Sequence, residues 1–238
     1  MTIRISQTKL LIMLICLLLV LNLSIFSTMA WMTDTSKVTN TFTVGKVDIE
    51  VEESDSEDDP DVDRKNNSYH LIPGEVKVKD PTMTVKAASE ESYVRMIMKV
   101  EGWNAVAQVI DNNDLGSFFA FLGGWDQKDW RLIGTTQDGN TMNFEFRYKE
   151  PVAGLDAEGK AADKVLPALF TELRVPGSLS MEDLNSLEAA GFKMIIEGHA
   201  IQSAGFIDAK DSNGNTLEPA DAENAAWAAF EVEEKDEE

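Results

Sequence analysis

Cysteine is all but missing from this 238-residue chain. The single one, Cys16, sits inside an unbroken apolar run at residues 10–21. With that run removed as a leader, no thiol remains. Disulfides, thiolate metal sites and cysteine nucleophiles are then excluded, and stability must come from a packed core. Histidine is nearly as scarce, with His70 and His199 far apart in unrelated contexts. No His-Glu-x-x-His pattern occurs, so a zinc protease of that type has no ligand set, and His199 alone cannot hold zinc. No Gly-x-Ser-x-Gly elbow is present, and Gly123-Gly124 lacks the lysine and helix start of a phosphate loop. These patterns nominate no catalytic residue, cofactor site or metal ligand. Basic residues are the minority, 21 Lys and Arg against 42 Asp and Glu, for a net charge of −21. Nucleic acid and anionic lipid surfaces repel such a chain, and the excess acid reads first as a solvated surface.

What the chain does have begins with that apolar run. Arg4 and Lys9 precede it, Asn22, Ser24 and Ser27 interrupt the stretch after it, and Thr28 and Ala30 place small residues where a signal peptidase reads. This is the make-up of a secretory signal peptide, residues 1–30, cut between Ala30 and Trp31. A membrane-spanning helix needs about 20 apolar residues, which this segment reaches only by including Asn22 and Ser24. Immediately after the cut, residues 31–45 form a strand-like segment with Val38, Phe42 and Val44 on even positions. Val47, Ile49 and Val51 then fall on odd ones. A strand cannot change faces without an extra residue, so Gly45 marks a bulge, a bend or a boundary between separate strands.

Further along, residues 52–68 are too acidic to pack and read as a solvated loop, with weak provision for divalent cations. Short alternating runs come next, around Pro73-Gly74 and Asp80-Pro81. A firm strand carries Val94, Met96, Met98 and Val100 on one face. Short helices are predicted between Trp103 and Trp125, and then a hairpin turning at Asp138-Gly139. A strand ends at Pro176-Gly177, and a helix opens at Ser180 with Asp183 at the capping-box position and stops at Gly191. Residues 192–202 read as a central strand, and Pro219 opens a short alanine-rich helix before an acidic tail at 231–238. The stretch 208–215 offers Asp211, Asn213 and Asn215 like the opening of a calcium loop. Its glycine and glutamate positions do not fit, and a plain Asn-Gly turn is favoured. About eight strands with short helical insertions predict an all-β fold, an antiparallel jelly-roll-like β-sandwich over residues 46–230.

Several blocks carry a resemblance: the apolar run, "AWMTDTSKVTNTFTVGKVDIEV", "LIPGEVKVKDPTMTVKAASEESYVRM", "ALFTELRVPGSLSMEDLNSLEAAGF" and the closing "AIQSAGF…AENAAWAAF". In this order they resemble the TasA/camelysin family of secreted bacterial proteins. The resemblance implies a jelly-roll subunit exported by a Gram-positive cell, processed by a dedicated signal peptidase and assembled with itself into biofilm-matrix fibres, with other matrix proteins as further partners. It also implies that residues 31–44 of one subunit are donated as a strand to the next, with Val38, Phe42 and Val44 as the self-association anchors. Strand addition supplies main-chain hydrogen bonds, and alternate side chains supply fit. An ordinary edge strand folded onto its own domain requires the same alternation. Because camelysin was classed as a metalloendopeptidase, the resemblance implies that rival activity too, here with His199 where relatives commonly carry tyrosine. A monomeric cell-surface binding domain is the third expectation.

Overall fold

Alternation in the sequence becomes paired strand wherever both neighbours along the backbone can be satisfied. The computed structural model describes residues 33–35, 46–54, 67, 69–110, 115–125, 127–211 and 213–236. The chain divides into two units, Met1–Trp31 and Met32–Glu238, and every described residue belongs to the second. Among those residues run β1 (Thr33–Thr35), β2 (Ile49–Glu52), β3 (Val76–Val78), β4 (Thr82–Val85), β5 (Ser92–Glu101), α1 (Trp103–Val109), α2 (Leu115–Phe119) and β6 (Leu122–Gly123). They continue with β7 (Trp130–Asp138), β8 (Thr141–Tyr148), β9 (Lys164–Val165), β10 (Glu172–Arg174), α3 (Met181–Ala189), β11 (Lys193–Gln202) and α4 (Pro219–Asp236).

The largest sheet has the order β1-β11-β5-β8-β7, antiparallel throughout. Its inner face carries Met96, Met98, Val100, Phe144 and Ala200, all with no exposed surface. This face packs on β2 and β4. A Cβ on Gly198 would come within 2.5 Å of Val51 Cγ2 and 2.8 Å of Met83 Cε, so only glycine lets the two layers approach this closely. Farther along the same core, Phe118 of α2 stacks on Phe144 at 5.0 Å and meets Trp103 of α1 edge-on at 5.3 Å. The hairpin β7–β8 closes at Asp138 and Thr141 with Gly139 at φ 57°, and a bulge between Leu132 and Gly134 shifts its register. Helix α3 begins as its sequence dictates: Ser180 Oγ accepts from Asp183 N–H while the Asp183 carboxylate accepts from Ser180 N–H.

The expected all-β jelly roll is not what forms. The fold is mixed α/β, with three separate open sheets, β1-β11-β5-β8-β7, β3-β10-β6 and β2-β4-β9, none of which closes on itself. Two physical features account for the difference. Stretches that read as strands pair over only three residues in β3 and β10, and β6 and β9, which pair with β10 and β4, are two-residue strands that the sequence does not announce, so small sheets form rather than a second long one. In addition, the outer face of the large sheet is covered by a helix. Odd positions of β5 are buried at Tyr93 and Arg95 because α4 lies over them, bringing down Trp227 and Phe230, both almost fully buried. That helix runs 18 residues and takes in most of the segment expected as an acidic tail.

Candidate functional site

The position of β11 decides what its edge can do. It pairs with β5 over its whole length, Lys193↔Glu101 to Gln202↔Ser92. On its other side only Thr33↔Ile201, Asp34↔Ala200 and Thr35↔His199 pair. Among the described residues, positions 193–198 therefore have no strand on that side. The expectation of a central strand is corrected to a next-to-edge one. The low polarity of both its faces reflects the layers above and below it rather than strands on either flank. The sequence locates this apolar strand but not its half-open edge, because burial between layers and burial between strands leave the same apolar composition.

Two layers meet the middle of β11. On the inner face, Gly198 and Ala200 are sealed by β2 and β4. On the outer face, His199 is buried and its Nδ1 accepts a hydrogen bond from Arg95 Nε at 3.1 Å. Its ring lies against Phe230 at 5.2 Å. Burial, and next the positive charges of Arg95 and Lys99, push its pKa down to about 3, so the ring is neutral at physiological pH, with the proton on Nε2. The Arg95 guanidinium sits 4.4 Å from the Trp227 ring centre and 5.1 Å from that of Phe230, and its Nη1 reaches Glu231 at 3.4 Å. Arg147 bonds Glu145 at 2.7 Å and Asn224 Oδ1 at 2.7 Å, and Arg131 bonds Glu223 at 2.7 Å. The arginines of β5, β7 and β8 thus clamp α4 through residues spaced one or two turns apart on one helix face: Glu223, Asn224, Trp227 and Glu231. No sequence motif nominates this cluster. The available signal was the pairing of Trp227 and Phe230 at i, i+3 in an otherwise small-residue helix.

The clamp is a fastening: its arginines engage Glu145, Glu223, Asn224 and Glu231, while Arg131 Nε and Trp227 Nε1 are buried without a hydrogen-bond partner. Among the described residues no group of three or more His, Cys, Asp or Glu is arranged to hold a metal ion. His70 is exposed ahead of the Pro73-Gly74 turn. Beyond the clamp the outer face opens into a polar trough bounded by Lys99, Glu101, Asp138, Asn143 and Glu197.

At the stem of the acidic segment, Lys79 Nζ bonds Glu53 Oε1 at 2.7 Å, and Ser54 N–H donates to Asp80 Oδ1 at 2.7 Å. The body of that segment, residues 55–66, lies outside the described residues. The Asp211 turn closes on itself: its Oδ1 accepts from Asn215 N–H and Asn213 N–H, each at 2.8 Å, and the Asn215 backbone bond first among these holds its carboxyl below the usual range. Ala30, Trp31, Val38, Phe42 and Val44 also lie outside the described residues. Among the described residues no helix is long and apolar enough to cross a membrane. Comparisons with protein-family models, with curated proteins and with solved structures gave no match.

Proposed function

We propose that this chain is an exported structural subunit that builds extracellular matrix fibres by exchanging its N-terminal strand segment, residues 31–44, between neighbouring copies. The observation that carries this reading is the edge of β11, held by only the three residue pairs of β1 and otherwise without a strand at positions 193–198 among the described residues. An edge of this kind is a template for another chain. A three-residue strand is a light tenant on it, because each backbone hydrogen bond contributes only about 0.5–1.5 kcal/mol net. A donor at one end and an acceptor elsewhere make a heterologous contact, which propagates into a filament instead of closing into a ring. Just past Gly45, Val47 and Ile49 anchor the chain in the core.

The test compares two chains, one starting at Trp31 and one starting at Lys46. The first should form fibres visible by electron microscopy. The second should stay folded by circular dichroism and sediment as a monomer. Equal assembly by both would refute strand exchange, and casein cleavage by the purified protein that chelators abolish would favour the endopeptidase alternative.

A further inference from the structure

We propose that Lys79 and Asn67 become joined by an amide bond between their side chains, with Glu53 as the group that moves the protons and ammonia as the leaving product. The proposal goes beyond the strand-exchange reading and does not depend on it. Lysine is seldom buried, because its charge must leave water. Among the described residues Lys79 is the one lysine that is. Its side chain is 7% exposed, whereas the other lysines in described ion pairs run from 19% to 52%. A buried ion pair is weak support for a fold, since apolar side chains of similar volume often serve as well. Its presence at this point calls for a chemical account.

Three parts of the chain converge at the stem of the acidic segment: Glu53 follows β2, Asn67 and Tyr69 follow the segment, and Lys79 follows β3. Lys79 Nζ donates to both Glu53 oxygens, Oε1 at 2.7 Å and Oε2 at 2.8 Å. The same Oε2 accepts from Tyr69 OH at 3.1 Å and from Asn67 Nδ2 at 3.4 Å. The amine and the amide nitrogen it would displace thus share one carboxylate oxygen. Asn67 Nδ2 also donates to the Ser54 carbonyl at 3.0 Å, and the Tyr69 ring centre lies 5.2 Å from Nζ. Burial first, and next the Glu53 charge, push the Tyr69 pKa up, so its hydroxyl stays a donor to Glu53.

Atoms and charge balance without a co-reactant. Glu53 takes a proton from the Lys79 ammonium, and the freed Nζ lone pair attacks Asn67 Cγ, forming a C–N bond and a tetrahedral centre. Glu53 hands a proton to Nδ2, the Cγ–Nδ2 bond breaks and the carbonyl re-forms. Of the three Nζ hydrogens, one stays on the new amide, one leaves on the ammonia and one remains on Glu53. Nothing is oxidised or reduced. A buried ion pair is thereby exchanged for a neutral amide beside a neutral acid, which removes the burden of buried charge. Attack needs Nζ and Cγ about 3–3.5 Å apart, which asks of Asn67 a rotation about its own side-chain bonds. The bond closes residues 67–79 into a ring that carries β3. In a chain left without cysteine once residues 1–30 are removed, it is a covalent fastening that needs no oxidant.

Intact-mass spectrometry of the chain starting at Trp31 tests this. Its mass should lie one ammonia below that of the sequence, and a digest should contain a branched peptide joining Asn67 to Lys79. Glu53→Gln keeps the shape of the site without the proton carrier and should retain the full mass, as should Lys79→Arg and Asn67→Ala. Asn67→Asp should still close, with loss of one water instead. Circular dichroism checks that each variant is folded, and where one is not, the wild-type digest decides by itself. A wild-type chain of full mass overturns the proposal. So does ammonia loss that persists in Lys79→Arg, which places the loss elsewhere, as in a succinimide at Asn213-Gly214. A Glu53→Gln chain that closes as fully as the wild type overturns the role of Glu53. Loss of water from the wild-type chain, with Glu53 joined to Lys79, overturns the assignment of Asn67 as the acceptor.

Discussion

Lowering the pH from 6.5 to 4.5 should weaken the folded state by about 2 kcal/mol through His199 alone, at ~1.36 kcal/mol per pKa unit. Its folded pKa is pushed from 6.5 down to about 3, chiefly by burial and then by Arg95 and Lys99. Over the window between those values the unfolded chain binds a proton that the folded chain refuses. The stability is fully present above pH 6.5 and is lost as the pH falls towards 3. The charged groups around the ring have mixed effects. Arg95 and Lys99 from β5 oppose the imidazolium, while Glu231 of α4 and Glu145 of β8 are engaged by Arg95. Protonation would also turn the Nδ1 acceptor into a donor facing the Arg95 Nε donor, leaving the clamp with two opposed N–H groups.

The assay is urea unfolding of the wild-type chain and of His199→Gln at pH 7.5, 6.5, 5.5 and 4.5. Glutamine keeps an oxygen to accept from Arg95 and does not titrate, so subtracting the two profiles removes the carboxylates common to both. The wild-type advantage should shrink by about 1 kcal/mol per pH unit below 6.5. Parallel profiles would refute a neutral, buried His199 and with it the account of the clamp.

Two substitutions probe the layers on either side of β11. Gly198→Ala drives a methyl group to within 2.5 Å of Val51 Cγ2 and 2.8 Å of Met83 Cε, and should destabilise by about 1–3 kcal/mol in thermal or urea unfolding. An unchanged midpoint would mean that β2 is free to move away. Trp227→Ala removes a fully buried ring and the partner of the Arg95 guanidinium, and should destabilise by about 3–5 kcal/mol, with α4 amides exchanging faster than those of β5. Equal loss of protection in both elements would show that the helix and the sheet unfold as one unit.

The features legible in the sequence were those whose cause is local. The capping box at Ser180 and Asp183 needs only residues three apart, and the inner face of β5 needs only a period of two, so both are readable with their side chains correctly placed. The hairpin turn at Gly139 belongs to the same group. Non-local contacts were not legible. Whether "TELRVP" pairs over three residues or eight depends on what β3 and β6 present to it, and nothing within the stretch records that. Tyr93 and Arg95 look like the solvent side of β5 in sequence because the helix that covers them lies more than a hundred residues away. The jelly-roll expectation failed for the same reason: counting strands is a local operation, while closing sheets is a global one.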